Sequence, residues 1–202
     1  YEDILNNYDS MARVIMDDLD AVKKEYGRKR RTLIENSEEI VLEEQKIEET
    51  EIVFLMDRFG YAKTVDVATY ERNKESADTE NKYVFRCMNT DKICIFTDQG
   101  RLHMVKALDL PGGKFRDKGT PIDNLCNYSS TREQMVFVSS LEHIKQNKLV
   151  FVSKNGMCKV VDGYEFDVSK RTVAATKLAE EQDCLILVGI FDESDYLVLQ
   201  SH

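Results

Sequence analysis

Apolar side chains recur every three or four residues near the start of the chain. The positions are Ile4, Tyr8, Met11, Ile15, Leu19, Val22 and Tyr26. This spacing places the side chains on one face of an α-helix. The first segment is therefore predicted to be a helix with a single apolar stripe, which needs a partner surface.

From Ile52 onwards the pattern changes to short runs of β-branched and aromatic residues, separated by glycine and polar residues. Such runs are typical of β-strands. The predicted strands are Ile52–Met56, Ala62–Val67, Tyr83–Met88, Ile93–Thr97, Arg101–Val105, Gln134–Val138, Leu149–Ser153, Met157–Val161, Thr172–Lys177, Cys184–Ile190 and Tyr196–Gln200. The body of the chain is therefore predicted to be mostly β.

The predicted hairpins repeat along the chain. In residues 53–63, 93–101 and 149–159, an apolar strand leads through a polar residue and a glycine to a second strand with a basic side chain. Gly60, Gly100 and Gly156 lie 40 and 56 residues apart, a spacing that fits four-stranded propeller blades with a loop insertion. Residues 197–202 begin a fourth copy. A chance series of hairpins is the alternative, but the shared register favours a partial β-propeller of four-stranded blades, preceded by an α-helical segment.

The net charge of the 202 residues is −9, which by itself argues against binding to nucleic acid. Eight glutamates and one lysine in residues 35–51 account for −7 of this charge. Residues 1–34 are neutral overall, and residues 52–202 carry only −2. The acidic connector fits either a charged strand or a solvated linker. Because the acid is concentrated there, a local basic face on the β body is compatible with the composition.

No arrangement typical of a catalytic or metal site stands out in the sequence. The five cysteines are scattered, and His103 and His143 have no cysteine or carboxylate at ligand or triad spacing. Gly112-Gly113 lacks the residues of a phosphate-binding loop. We therefore predict reduced thiols, no metal and no catalytic residue. No run of about 18–20 apolar residues is present, which predicts a piece of a cytosolic protein.

Basic side chains lie beside the repeated hairpins and in two short segments between strands. The candidates are Lys63, Arg101, Lys106, Lys114, Arg116, Lys118, Lys159, Lys170 and Arg171. Equivalent positions of successive propeller blades fall on the same rim, so these charges are expected to form a curved stripe. Such a stripe contacts phosphates without reading bases. The alternative is that they are ordinary solvated side chains.

Several motifs resemble those of one family. Tyr26-Gly27 followed by residues 29–34, Arg58–Lys63, Phe96–Arg101 and Arg116–Leu125 occur in order. They are similar to the end of the breakage-reunion region and the start of the six-bladed β-pinwheel in the A subunits of bacterial type IIA DNA topoisomerases, which are gyrase and topoisomerase IV. The resemblance implies a C-terminal fragment. Residues 1–34 would be the helical end of the breakage-reunion region, 35–51 an acidic connector, and 52–202 the first blades of an incomplete wheel.

The resemblance also implies a function and partners. The parent would be an ATP- and Mg²⁺-dependent enzyme that passes one DNA duplex through another, with its active-site tyrosine outside this chain and no cofactor within it. The partners would be duplex DNA and the ATPase B subunit of an A2B2 complex, with a homodimer formed through upstream regions. No membrane partner is implied, and the location would be the bacterial cytoplasm, on the chromosome. By position, the family's basic rim residues correspond to Lys63, Arg101, Lys106, Arg116, Lys118 and Lys159, with Lys170 and Arg171 as further candidates.

One departure from the family bears on the reaction. The A subunits of gyrase carry a Gln-Arg-Arg-Gly-Gly-x-Gly box in the first blade, whereas residues 70–80 here contain no glycine and four acidic side chains. This favours a topoisomerase IV-like subunit that decatenates or relaxes DNA. A true gyrase subunit is the first alternative. The second, from another class, is a β-propeller that binds a protein and no DNA.

Overall fold

The computed structural model describes residues 6–29, 32, 48–180, 182–192, 194, 196 and 198. The chain divides into two compact units, with the division between Gln45 and Lys46. Most of the acidic connector and most of the last predicted strand, Tyr196–Gln200, lie outside the described residues.

The first unit contains the predicted helix, α1 (Tyr8–Tyr26). It begins at Asn7, whose side chain accepts a hydrogen bond of 3.1 Å from the backbone N–H of Asp9 and so satisfies one of the free amides at the helix start. No residue of α1 is buried. Ile15, Leu19 and Tyr26 of the apolar stripe are more than half exposed. No helix among the described residues is long and apolar enough to cross a membrane.

In the second unit, the described residues form short helices and eleven strands. The strands are β1 (Glu51–Asp57), β2 (Tyr61–Asp66), β3 (Asn81–Met88), β4 (Lys92–Thr97), β5 (Arg101–Lys106), β6 (Thr120–Pro121), β7 (Met135–Ser140), β8 (Lys148–Ser153), β9 (Cys158–Asp162), β10 (Thr172–Ala174) and β11 (Leu185–Phe191). The α-helices are α2 (Val67–Arg72), α3 (Lys74–Glu80) and α4 (Leu141–Lys145). Single 3₁₀ turns span Ala107–Asp109, Ile122–Asn124 and Gly163–Phe166.

The strands form three antiparallel sheets. The strand order is β3-β1-β2-β6 in the first sheet, β10-β5-β4-β7 in the second and β11-β8-β9 in the third. Each sheet is built on a hairpin, β1–β2, β4–β5 or β8–β9. The fold is mostly β and made of repeated hairpin-based sheets, which confirms the predicted fold class.

The fourth strand of the first two sheets comes from the segment that follows the next hairpin. β6 follows β5 in the chain but pairs with β2, and β10 follows β9 but pairs with β5. In the first repeat, the same stretch between the hairpin and the third strand forms α2 and α3 instead of an edge strand. Adjacent sheets are therefore joined by exchanged strands, which the sequence pattern did not reveal.

The second sheet lies between two apolar cores. Ile93 and Ile95 of β4 pack with Phe54 and Met56 of the first sheet. The alternate residues of β4, Cys94 and Phe96, pack with Leu149 and Phe151 of the third sheet. Because successive side chains of a strand point to opposite faces, the uninterrupted apolar run of β4 indicates burial on both sides.

A third apolar cluster covers the outer face of the first sheet. It joins Val53, Leu55 and Val65 of β1 and β2 to Tyr70 of α2 and Ala77 of α3. The exposed side chains of these helices include four acidic ones, Glu71, Glu75, Asp78 and Glu80, and two basic ones, Arg72 and Lys74. Residues 67–80 were not predicted to be helical, because each helix is only six or seven residues long and has no full amphipathic period.

The three repeat glycines close the hairpin turns in the left-handed region. Their φ angles are 84° at Gly60, 72° at Gly100 and 81° at Gly156. Each donates its N–H to the carbonyl of the polar residue three positions earlier, at 3.0–3.3 Å. The surroundings differ: a Cβ on Gly100 would lie 2.6 Å from the carbonyl oxygen of Thr176, whereas none of the described residues lies within 4 Å of the corresponding position on Gly156.

Gly100→Ala is therefore expected to lower the free energy of unfolding more than Gly156→Ala. Both alanines must adopt a positive φ, which costs about 1–2 kcal/mol. At Gly100 the turn or the backbone after β10 must also move. Urea unfolding of the two variants measures the difference, and equal losses would contradict a close contact between this turn and residue 176.

Candidate functional site

The two exchanged strands bring basic segments to equivalent places on neighbouring sheets. Thr120 of β6 pairs with Ala62, and Val173 of β10 pairs with Leu102. Ala62 and Leu102 each lie two residues after a turn glycine. Lys118 and Arg171, two residues before the paired positions, therefore occupy the same site on the first and the second sheet.

The first basic segment is the loop of residues 114–118, here called the basic loop. It is closed by two hydrogen bonds: the N–H of Lys114 donates to Oδ2 of Asp117 at 2.9 Å, and the N–H of Asp117 donates to the carbonyl of Lys114 at 3.0 Å. Lys114, Arg116 and Lys118 are exposed, and Phe115 between them is half-buried. Among the described residues, none of these three cations forms an ion pair. The loop thus presents three cations without an ion pair, next to one carboxylate, Asp117.

The second basic segment consists of Lys170 and Arg171. It lies beside the start of β4 and the end of β5, and together they form what we call the basic crevice. Lys92, Lys106, Lys170 and Arg171 line this crevice of about 30 Å³, and Asp109 is the only acidic residue lining it. The N–H of Met104 donates to the carbonyl of Arg171 at 2.8 Å, which fixes the basic segment against β5. Nζ of Lys92 donates to the carbonyl of Val168 at 3.2 Å. Four cations thus surround one small opening.

Lys106 is a lysine at a repeat position where the other two copies have an aspartate. The sixth residue after the turn glycine is Asp66 in the first sheet and Asp162 in the third, and each carboxylate accepts a backbone N–H at the start of the following helix. Hydrogen bonds from Thr69 hold the pKa of Asp66 below its ordinary value. In the second sheet Lys106 occupies this position and lies directly opposite Lys92. Like charges in opposed positions repel, so an anion between them is favoured.

Arg101 and two of the predicted lysines are engaged in internal contacts. The guanidinium of Arg101, with a side chain 59% exposed, lies 3.4 Å from Oε1 of the buried Glu133. Nζ of Lys63 donates to the carbonyls of Phe115 and Asp117, at 2.6 and 2.8 Å. Nζ of Lys159 is 3.5 Å from the carbonyl of Ala175. These three side chains are held by the protein, as is Lys92 of the basic crevice through its bond to the carbonyl of Val168. In the basic loop, Nζ of Lys118 lies 4.2 Å from the centre of the Tyr61 ring.

Next to Arg101 lies a cluster of three buried polar side chains, His103, Tyr128 and Glu133. His103 is fully buried; its Nε2 is 3.1 Å from Oε2 of Glu133, and its Nδ1 is 3.1 Å from Oγ1 of Thr172 in β10. Tyr128 donates its hydroxyl to the carbonyl of Glu133 at 3.0 Å, and burial raises the pKa of Tyr128 to about 12. This group fastens the exchanged strand to the second sheet.

The structure brings some predicted residues together and adds one that the sequence reasoning missed. Lys106 meets Lys170 and Arg171 in the basic crevice, and Lys114, Arg116 and Lys118 share the basic loop. Lys92 was missed. The signal for it was available, since a hairpin with its turn at Gly100 places Lys92 opposite Lys106.

The described residues contain no group of three or more His, Cys, Asp or Glu side chains that converge as metal ligands. The five cysteines are free thiols. Burial raises the pKa of the Cys87 thiol to about 12 and raises that of Cys94 as well. These two thiols therefore stay protonated at neutral pH.

Comparison with known proteins gives one consistent picture. The family model described as "DNA gyrase C-terminal domain, beta-propeller" matches residues 147–187. The DNA gyrase A subunit of Clostridium acetobutylicum is 26% identical over 97% of this chain and 25% of its own length. The corresponding gyrase protein of Helicobacter pylori strain J99 is 31% identical over 98% of this chain and 26% of its own length.

Two solved structures share the fold. The C-terminal domain of DNA topoisomerase IV superposes with a TM-score of 0.61 and 17% identity, covering 71% of this chain and 46% of that one. The Escherichia coli ParC C-terminal domain superposes with a TM-score of 0.56 and 13% identity, covering 72% of this chain and 58% of that one. The chain spans about a quarter of the length of the curated relatives it matches.

Proposed function

We propose that this chain, which is related to the C-terminal domain of the A subunit of bacterial type IIA DNA topoisomerases, contacts duplex DNA and guides it during strand passage. The observation that carries the proposal is the equivalent placement of two basic segments on neighbouring sheets. Lys118 of the basic loop and Arg171 of the basic crevice occupy the same position relative to their hairpins.

The chemistry of these segments suits phosphates rather than bases. The side chains are lysines and arginines, and the described residues supply no ion-pair partner for Lys106, Lys114, Arg116, Lys118, Lys170 or Arg171. Cations that replace the counterions of the DNA backbone give affinity without sequence preference. The chain thus needs no net positive charge, only two basic segments at equivalent positions of neighbouring sheets.

Binding to a mixed-sequence duplex of about 40 base pairs, followed by fluorescence anisotropy, is expected to weaken steeply with salt. Six phosphate contacts, each with a slope of about −0.9 in log K against log salt, lower the affinity about 10³-fold between roughly 50 and 200 mM salt. A second duplex of unrelated sequence should bind equally well. Absence of binding at about 50 mM salt would contradict the proposal and favour the alternative of a propeller that binds a protein.

The proposal extends to the enzyme of which this region would form part. Its reaction would require ATP, Mg²⁺ and an ATPase B subunit in an A2B2 complex, with the A subunits paired through other regions, on the chromosome in the bacterial cytoplasm. None of these groups is assigned to residues of this chain.

A topoisomerase IV-like reaction, decatenation or relaxation, is favoured over negative supercoiling. The supporting observation is that residues 67–80, which include the position of the gyrase box, fold as α2 and α3 with Tyr70 and Ala77 in the apolar cluster. These helices expose four acidic and two basic side chains, and the excess of acid repels a duplex. The curated relatives are gyrase subunits and the solved relatives include topoisomerase IV domains, so the preference rests on these residues alone.

A further inference from the structure

We propose that Lys63 is a positioning residue: its ammonium group holds the basic loop in the shape that presents Lys114, Arg116 and Lys118, and does not itself contact phosphate. This proposal rests on the proposed contact with DNA. It differs from the expectation drawn from the sequence, in which Lys63 belonged to the DNA-contacting stripe.

The ammonium group of Lys63 is committed to the loop backbone. It donates to the carbonyl of Phe115 at 2.6 Å and to that of Asp117 at 2.8 Å. An ammonium group has three donors, so two of them are used inside the protein. The same Nζ lies 5.2 Å from the centre of the Phe115 ring. Because these carbonyls are separated by 52 and 54 positions from Lys63, the lysine joins two distant parts of the chain.

The loop is held from two sides. The Phe115 ring packs against the apolar cluster of Val65, Tyr70 and their neighbours, while its carbonyl faces the Lys63 ammonium. With the ring anchored inwards, Lys114 and Arg116 on either side of it are exposed. Without the ammonium, the two carbonyls lose their donor, and the loop is expected to sample other shapes in which the three cations no longer act together.

The same repeat position holds a neighbouring segment in the second sheet. Lys63 and His103 both lie three residues after a turn glycine, and His103 contacts Thr172, the residue directly after Arg171. In the first sheet the ammonium group at this position holds the segment that leads into β6. In the second sheet the imidazole at this position holds the first residue of β10. Lys159, at the third copy of the position, also directs its Nζ to a backbone carbonyl, that of Ala175, at 3.5 Å.

The test compares the salt dependence of DNA binding in a double-mutant design. The slope here means the magnitude of the decrease of log K with log salt, so that a lost phosphate contact lowers it. Lys63→Met keeps most of the aliphatic stem and removes the charge. The triple variant K114Q/R116Q/K118Q removes the loop cations, and its slope is expected to fall by about 2.7. If Lys63 positions the loop, Lys63→Met alone lowers the slope by more than the value of about 0.9 for one contact. In the triple-variant background, Lys63→Met leaves the slope unchanged. Lys63→Arg, which can still donate to both carbonyls, should restore the slope, and Lys82→Met, at an exposed site on the same sheet, should leave it unchanged.

A slope that falls by about 0.9 in both backgrounds would overturn the proposal, because Lys63 would then contact a phosphate itself. An unchanged slope in Lys63→Met would also overturn it. Hydrogen exchange provides a readout that needs no DNA: Lys63→Met should speed the exchange of the Asp117 N–H, which donates to the carbonyl of Lys114, with little effect on β4 and β5. If the natural chain failed to bind DNA but this exchange still increased, the proposed function would fail while the positioning of the loop by Lys63 stood.

Discussion

Neutralising the basic crevice with K106Q, K170Q and R171Q is expected to lower the affinity for duplex DNA by about 10²- to 10³-fold at roughly 0.1 M salt. The three side chains line one opening with Lys92, and Asp109 is the only acidic side chain among the described residues that line it. Each lost phosphate contact lowers the magnitude of the salt slope by about 0.9, so this magnitude should decrease by about 2.7. The decrease in affinity should be the same for duplexes of different sequence, since no base contact is lost.

The matched control changes the same net charge elsewhere on the β unit. Lys74, Lys82 and Lys154 are exposed and belong to neither basic segment, so K74Q/K82Q/K154Q should reduce affinity only slightly, through long-range electrostatics that salt screens. Equal losses in the two triple variants would mean that the overall charge, rather than the crevice, determines binding. Far-UV circular dichroism and urea unfolding would verify that both variants are folded.

Phe96→Ala is expected to lower the free energy of unfolding by about 3–5 kcal/mol. Phe96 is fully buried between the second and third sheets, and its ring centre lies 6.1, 5.8 and 5.3 Å from those of Phe137, Phe151 and Phe166. Removing the ring leaves a cavity among three other rings that cannot all move to fill it. Urea unfolding, followed by tyrosine fluorescence or circular dichroism, measures the loss.

Phe59→Ala is the control for this substitution, because Phe59 lies in the turn of the β1–β2 hairpin and is 87% exposed. The same chemical change there should alter the free energy of unfolding by no more than about 0.5 kcal/mol. A loss at Phe96 as small as that at Phe59 would contradict the packing of the second sheet against the third. A large loss at Phe59 would instead indicate that the turn is covered in solution.

Much of the fold could be predicted from local pattern. The run Ile93–Thr97 was recognisable as a strand, and the hairpins were recognisable because Gly60, Gly100 and Gly156 occupy turns that demand a positive φ. The helix α1 followed from its spacing of apolar residues. These features depend on neighbours within a few residues, so a single sequence contains them.

The exchanged strands could not be predicted in the same way. β6 contains only two residues and β10 three, too few for an alternating pattern. Their pairing with β2 and β5 depends on the path of the chain through another sheet. The roles of the basic residues followed from that path: charge and position could group Lys63 with Arg116, but only the fold places the ammonium of Lys63 beneath the loop. Lys92 was missed for a different reason, since only its cross-strand partner distinguishes it from any other surface lysine.

The exchange of β6 and β10 also bears on how the number of sheets can change in evolution. The stretch from β4 to β7 contains the β4–β5 hairpin, then β6, which pairs with the first sheet, and then β7, which pairs with β4 in the second sheet. Loss of this whole stretch from a gene would leave β10 available to pair with β2, and gain of a copy would supply one donor and one acceptor together. Duplication of this stretch adds one four-stranded sheet and leaves the pairing of the first sheet intact, whereas a copy that ended at the boundary of a single sheet would leave one edge without its strand.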